Sequence, residues 1–575
     1  MTRNTRLKEI AVAIYLLVIP LVLYFKYFPT IVNSLVTNAL FLALLSILAA
    51  LLVYGSFLIK ESRDVYLLLP QTLMIAFVVR AAPNLRLAYT FLHDPYFHYI
   101  TATNTLNFGV TNAGLSWWYS NIYTQLLFPL MHLLTVTTVL TSGIDIGLLF
   151  RFQEPVLGAL FVLAVFILAR LALKNDGQAL LSALIALGAQ SVIFFQSEYH
   201  PQGLAFIYFA FLVYAFLKIG ETKNRLMYGP FLVFLGALVL SHAFSSLFVG
   251  LFALFVGLFV IGIVLISPVL ARAPGVLPEF RKLLRDVSRD YTIWLLIAAL
   301  AVTYQAWGSF RFFREMIGMA QSTPPPIQLL TVGQTVPLSY TFSNAVQYIW
   351  LLLAGVSLVL TVRTQSRIRV KCAILTAALL VVGLVGWWAA AIPVDRIIGF
   401  YTPLGALFVA LTVFSIKDQW FPSVNKSLKT GLLIVLICLP IVAGVTNSQV
   451  PAFFFKDSNV NTFYWSSNDL SSANRQNTTG TWIYQHVPDQ KAIINSEFDT
   501  LPAVFYFGIH PAYVYSSNVS ADYLSYVRAQ YVVVNPSIPY SGGSDKAAYL
   551  NTINVVFDDG KLNVGQINGQ SITPP

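Results

Sequence analysis

The sequence predicts an α-helical polytopic membrane protein of about thirteen spans, followed by a small C-terminal α/β domain outside the membrane. Three observations carry that expectation. Of the 575 residues, 57% are hydrophobic and only 10% are charged, where a soluble domain carries about 25% charged residues. Apolar runs long enough to span a bilayer recur along the chain, at a mean hydropathy of +0.71. The excess of Lys and Arg, formally +11, falls mainly in alternate loops, which makes it a topology signal. This balance excludes a soluble enzyme and a disordered chain, and no nucleic-acid partner is expected.

The elements follow in order. Arg3, Arg6 and Lys8 precede an apolar run at 10–28 that is too long for a cleavable signal, so it reads as a retained span. Further spans are expected at 35–59, 66–80, 154–173, 178–195, 202–218, 228–241, 243–266, 291–307, 345–362, 372–391, 397–415 and 430–446. The run 121–141, with Pro129, His132 and a threonine-rich end, is the ambiguous one. The basic residues decide it. If 121–141 does not cross, one side gathers Lys60/Arg63, Arg170/Lys174, Lys218/Lys223/Arg225, the 272–289 arginines with Lys282, Arg363/Arg367/Arg369/Lys371 and Lys417/Lys426/Lys429. If it crosses, the bias inverts. The N-terminus is therefore expected inside, with 121–141 lying on or dipping into the outer face. Residues 1–448 then form the transmembrane domain, with a long outer loop at 81–153, and 449–575 form the extracytoplasmic domain.

The tail differs in composition. It holds more acids than bases and is rich in Asn, Ser and Tyr. Short β-branched and aromatic runs at 492–494, 503–507, 531–534 and 554–557 read as strands, and Asp558-Asp559-Gly560 reads as a hairpin turn before Leu562-Asn563-Val564. The segment from Asn477 to His486 reads as a helix. Asn477-Thr478-Thr479 and Asn518-Val519-Ser520 are glycosylation sequons, a pattern frequent by chance in such a segment. Cys372 and Cys438 lie inside apolar runs without metal-type neighbours, so no disulfide framework is expected. The inner loops are short, and neither a P-loop nor a dinucleotide fingerprint occurs, which excludes an ATP-driven pump.

Scarce charges near the outer boundary are the candidates for chemistry. Leu92-His93-Asp94-Pro95-Tyr96-Phe97-His98-Tyr99 follows the third span and opens the long loop. Asp94 before Pro95 also suits a plain helix cap followed by an interfacial aromatic helix. Gln196-Ser197-Glu198-Tyr199-His200-Pro201-Gln202 fills a very short outer turn, and a turn has no need of Glu and His together. His242 lies near the same boundary, between two spans. Arg396 begins a span. It can snorkel, pair with Asp395, or clamp a lipid phosphate with its guanidinium fork. A carboxylate here can serve as general base for a hydroxyl or amide acceptor, or hold a hard divalent cation.

Asp94-Pro95-Tyr96-Phe97-His98-Tyr99 resembles the first external-loop motif of the oligosaccharyltransferase catalytic subunit, especially its archaeal form. The arrangement is similar more broadly to the GT-C class of membrane glycosyltransferases, which includes the protein O-mannosyltransferases. The run Leu149-Phe150-Arg151-Phe152-Gln153-Glu154-Pro155-Val156-Leu157-Gly158 looks like the arginine-led entry to the next core span. The resemblance implies Asp94 as base or metal ligand, Glu198 as the second acidic position and metal ligand, and Arg396 as the donor-phosphate contact. With it go His200 and His242 as further phosphate contacts, and His93, Tyr96, His98, Arg151 and Glu154 as acceptor or loop contacts. It implies a polyprenyl-phosphate or -diphosphate sugar as donor, and a protein, glycan or lipid as acceptor. Mg or Mn is the implied cofactor, with metal-independent transfer as the alternative. A prokaryotic, archaeal-like plasma membrane is the expected location. The sequence departs from the oligosaccharyltransferase pattern in three ways. The tail lacks Trp-Trp-Asp-Tyr-Gly, the second motif is Glu-Tyr-His, and two spans precede the usual first one. These departures point away from transfer of a whole oligosaccharide to asparagine.

Two other classes compete. A transporter or lipid flippase would place polar groups at the bilayer midplane in broken helices and repeats, but the notable groups here sit at the edge and no repeat occurs. A non-catalytic envelope assembly factor would use the tail's aromatics, such as Tyr464, Trp465 and Tyr506, for a partner, although core packing uses them equally well.

Overall fold

The computed structural model describes residues 3–27, 35–86, 98–99, 101–103, 105–106, 129–197, 199–222, 225–272, 297, 350, 352–357, 366–388, 394–449, 482, 485–486, 493–495, 513–515, 531–534, 553–558 and 563–567. They fall into two units. One takes Met1–Arg86, Thr124–Met131 and Phe152–Val460. The other takes Leu87–Tyr123, His132–Arg151 and Asn461–Pro575.

The first unit is a helical bundle. Its helices are α1 (Arg3–Tyr27), α2 (Leu35–Leu58) and α3 (Ser62–Arg86), and, beyond the 81–153 loop, α5 (Ile146–Leu173), whose first turn belongs to the second unit, α6 (Asp176–Leu187), α7 (Gln190–Ser197) and α8 (Pro201–Thr222). After a 3-10 turn at Arg225–Met227 come α9 (Tyr228–Ser241), α10 (Ala243–Arg272), α11 (Arg367–Trp388), α12 (Val394–Asp418) and α13 (Lys426–Gln449). Among the described residues, five stretches are long and apolar enough to cross a membrane: Ser62–Ala82, Ile146–Leu173, Pro201–Thr222, Ile397–Asp418 and Lys426–Val445. The chain is thus a multi-pass helical membrane protein. The expected span 291–307 and most of 345–362 lie outside the described residues.

The expected span 178–195 is not one straight helix. It is two, α6 and α7, bent by 65° at Gly188 and Ala189. Asn175 caps α6, its side chain accepting from the Gln178 amide at 2.9 Å. Every residue from Gly177 to Leu187 except Gln178 is buried, and α6 packs on α2, α3 and α12. α7 packs on α3, α12 and α13. The broken helix is therefore the centre of the bundle.

One end of the bundle collects the basic residues expected inside. Arg170 pairs with Asp176 at 2.8 Å, and Lys218 with Glu221 at 2.8 Å. Lys371 lies 5.0 Å over the Phe216 ring, and Lys417 lies over Phe57 and Phe414. Toward the other end, phenylalanines from three helices interlock. Phe400 of α12 stacks on Phe248 of α10 at 4.3 Å and meets Phe206 and Phe209 of α8 edge-on at 4.9 and 5.4 Å. Ring contact fixes helix register where lipid supplies no solvent contrast.

The second unit has a helical and a strand part. Helix α4 (Leu130–Ser142) has 13 residues, well short of the roughly 20 that crossing requires. The described residues between 98 and 106 are also helical, with the Thr105 hydroxyl donating to the Thr101 carbonyl at 2.7 Å. The tail holds β1 (Ile493–Asn495), β2 (Tyr513–Tyr515), β3 (Tyr531–Val534), β4 (Ile553–Asp558) and β5 (Asn563–Ile567), in the order β2-β1-β3-β5-β4. β1 is parallel to both β2 and β3, and β5 is antiparallel to β3 and β4. The pairing of Asp558 with Asn563 closes the hairpin expected at Asp558-Asp559-Gly560. β2, Tyr513-Val514-Tyr515, had no expected counterpart, and the run 503–507 lies outside the described residues.

Candidate active site

The candidate site of the bundle is built where α7 hands over to α8. Ser197 ends α7 and Pro201 begins α8, so three residues, 198–200, make the connection. His200 is buried, and its ring lies 5.2 Å from Phe195. Its Nδ1 accepts from the Gln202 amide at 3.2 Å, which leaves the neutral ring's proton on Nε2. His242 is the single extended residue between α9 and α10, at φ −160° and ψ 140°. Its ring lies 5.5 Å from that of His200. Two histidines 42 positions apart are thereby brought side by side.

Arg396 stands in the first turn of α12, one turn before Phe400. Phe400 touches Phe206, and Phe206 touches Phe195 beside His200. The backbone of Arg396 therefore belongs to the same end of the bundle as the two imidazoles.

Glu154 lies in α5 with no solvent exposure, and neither carboxylate oxygen has a hydrogen-bond partner among the described residues. Its Oε2 occupies the space where a side chain on residue 203 would begin, and Gly203 leaves that space open. Arg151, one turn earlier, is half-buried. His93, Asp94, Tyr96 and Glu198 lie outside the described residues.

Two features escaped the sequence reading. Arg80, the last residue of the expected span 66–80, is fully buried inside α3, and its Nε donates to Gln196 Oε1 at 2.8 Å. The signal was present, since an ionisable residue inside a span is a functional position by default. In the second unit His98 is paired with His132 rather than standing alone. Nδ1 of one and Nε2 of the other are 3.0 Å apart, and both rings are buried. Burial pushes His132 down to about 4. Tyr99 beside it packs on Phe150 at 4.7 Å.

Among the described residues no three His, Cys, Asp or Glu side chains converge as a metal site. The described groups of the bundle site are one carboxylate, Glu154, and two imidazoles, His200 and His242.

No family model matches the sequence, and no curated protein matches it. Solved structures do match the fold. ArnT from Cupriavidus metallidurans, bound to undecaprenyl phosphate, aligns over 88% of this chain and 98% of its own, at a TM-score of 0.50 and 12% identity. The archaeal oligosaccharyltransferase AglB from Archaeoglobus fulgidus, in complex with an inhibitory peptide and a dolichol-phosphate, aligns over 81% of this chain and 69% of its own, at 0.49 and 12%. Both are GT-C glycosyltransferases. This chain shares the fold of ArnT. The match takes in nearly all of the ArnT chain, so the likeness is not confined to a shared fragment of the bundle.

Proposed function

We propose that this chain is an integral membrane glycosyltransferase that moves a sugar from a polyprenyl-phosphate or polyprenyl-diphosphate donor to an acceptor at the outer face. One observation carries the reading: the fold matches ArnT across nearly the whole of both chains, and ArnT was solved with undecaprenyl phosphate bound. An imidazole pair at the start of α8, the helix whose Gly203 also meets a buried carboxylate, supports it. Transfer needs a base for the acceptor and positive or proton-donating groups for the leaving phosphate.

In this reading Asp94 takes the proton of the acceptor hydroxyl or amide as its heteroatom attacks the anomeric carbon. The bond from that carbon to the phosphate oxygen breaks, and the electron pair leaves with the phosphate. Arg396, the Nε2 proton of His200 and His242 receive that charge. Glu198 is the second acid. Glu154, Arg151, His98, His93 and Tyr96 contact the acceptor or order the loop. Asp94 and Glu198 are the residues that would hold Mg or Mn, and the steps above use protein groups alone. The acceptor is a protein, a glycan or a lipid, and the unit transferred is a hexose, a pentose or an oligosaccharide. The membrane is a prokaryotic plasma membrane, with the N-terminus inside.

A transporter is the reading that the α6–α7 break would favour, because transporters use discontinuous helices. The break here is apolar, however. Leu187, Gly188 and Ala189 are buried, and Gly188 sits against the Ile441 backbone, which leaves no polar path through the break among the described residues. The deciding experiment is a transfer assay on purified protein with polyprenyl-phosphate sugars, with and without EDTA. Transfer is expected, and Asp94→Asn is expected to abolish it while the protein still inserts. Full activity in Asp94→Asn would sink the assignment of the base.

A further inference from the structure

Arg80 is costly where it stands. A guanidinium without solvent exposure in a membrane helix requires partners. It has two. Nε donates to Gln196 Oε1 at 2.8 Å, and Nη1 donates to the Ala76 carbonyl at 3.3 Å. Nη2 has no partner among the described residues. Gln196 in turn donates from Nε2 to the Gly203 carbonyl at 3.5 Å. The chain Arg80–Gln196–Gly203 thus runs from α3 through the end of α7 to the start of α8. It straddles the connection 198–200, which carries Glu198 and His200.

The fourth wall is α5. A Cβ on Gly158 would fall on Arg80 Cδ, lie 2.5 Å from its Nε and come within 3.1 Å of Gln196 Oε1. Glycine at 158 is what lets the arginine cross α5. One turn earlier on the same face, Glu154 fills the space left by Gly203. Two glycines therefore admit two ionisable side chains to one polar seam, and Gln196 joins its two sides. A neutral tie between α3 and α7 would have avoided burying a charge. What the guanidinium adds is a rigid, two-directional donor that fixes the amide plane of Gln196, and with it the direction of the amide's own bond to α8.

We infer that Arg80 is a positioning residue: acting through Gln196, it holds the 198–200 connection in fixed register with Glu154. The inference deepens the transferase reading and rests on it for its kinetic arm only. Three variants probe the seam by different routes. Arg80→Gln removes the fork. Gln196→Glu can still accept from Arg80 but cannot donate to Gly203. Gly158→Ala pushes Arg80 aside without altering its charge. Each is expected to lower kcat by about a hundredfold, the scale of a misplacement near 1 Å, while KM for the lipid-linked donor stays within threefold. Arg80→Lys, which keeps charge without the fork, is expected to recover less than a tenth of kcat.

A second arm needs no activity. Glu198→Cys is placed in a Cys372→Ala, Cys438→Ala background, and its modification by a membrane-impermeant maleimide is timed with and without Arg80→Gln. The rate is expected to change at least fivefold. If wild-type protein transfers no sugar, the labelling arm alone decides, a changed rate upholding the seam and an equal rate overturning it. An Arg80→Gln enzyme with wild-type kcat overturns the positioning role whatever the labelling rate. If Arg80→Gln fails to fold, Gly158→Ala takes its place in both arms under the same criteria.

Discussion

A single side chain of α4 is expected to set a pH dependence of stability. His132 is buried, and its ring is held down to about 4. An unfolded histidine titrates near 6.5. Below about 6.5 the unfolded chain takes up a proton that the folded chain refuses, so stability falls as pH drops from about 6.5 to about 4 and then levels off. The full loss is at most about 3 kcal/mol. Thermal unfolding of the detergent-solubilised protein from pH 7 to pH 4.5 is expected to show this decline, and His132→Gln is expected to flatten it. An equal slope in His132→Gln would place the sensitivity elsewhere. His98 faces His132 across 3.0 Å, so one ring donates and the other accepts, and a second proton on the pair would remove that hydrogen bond. Nothing local in the sequence signals this partnership, because 34 positions separate the two. The His93-to-Tyr99 motif singled out His98 as a site residue, whereas its partner registered only as a polar interruption in an apolar run.

At the scale of the element, the sequence was most legible where hydropathy and caps agree. Spans expected at 228–241 and 243–266 meet at His242, and α9 and α10 do part there, at one extended residue. The strand at 531–534 and the hairpin after Asp558 are also found. The α6–α7 bend was not legible. A window average over Leu187-Gly188-Ala189 stays apolar whether the helix runs straight or turns, and a tertiary contact fixes the turn. A Cβ on Gly188 would lie 2.7 Å from the Ile441 Cα and 3.0 Å from its Cβ. Backbone cannot give way as a flexible side chain does. Gly188→Ala is therefore expected to destabilise the bundle by about 1–3 kcal/mol, the range for overpacking. Gly431→Ala in α13 has nothing within 4 Å, so it is the control and is expected to leave the melting temperature unchanged or raise it. Equal melting of the two variants would mean that α6 and α13 part more easily than their contact implies. The burial of Arg80 was hidden for a similar reason. An expected span ending at 80 leaves the residue at an edge, but α3 continues to Arg86 and takes Arg80 inside.

For the whole molecule, sidedness is the property that charge and structure constrain together. Among the described residues, Arg170 with Asp176 and Lys218 with Glu221 stand at the ends of helices whose opposite ends meet Glu154, His200 and Gly203. Aromatic contacts tie Lys371 and Lys417 to the ends of α8 and α2. The basic end and the end with the imidazole pair are therefore opposite ends of one bundle, as the alternation of Lys and Arg along the chain requires. If the positive-inside bias orients this chain, the basic end faces the cytoplasm and the imidazole end faces outward. A cysteine at Arg281, in the most basic loop, and one at exposed His486, in the tail, test both sides in the Cys372→Ala, Cys438→Ala background. In intact cells an impermeant maleimide is expected to label position 486 and to reach position 281 only after permeabilisation. Labelling of 281 in intact cells would invert the bundle, put the candidate site on the cytoplasmic side and require a donor presented from within.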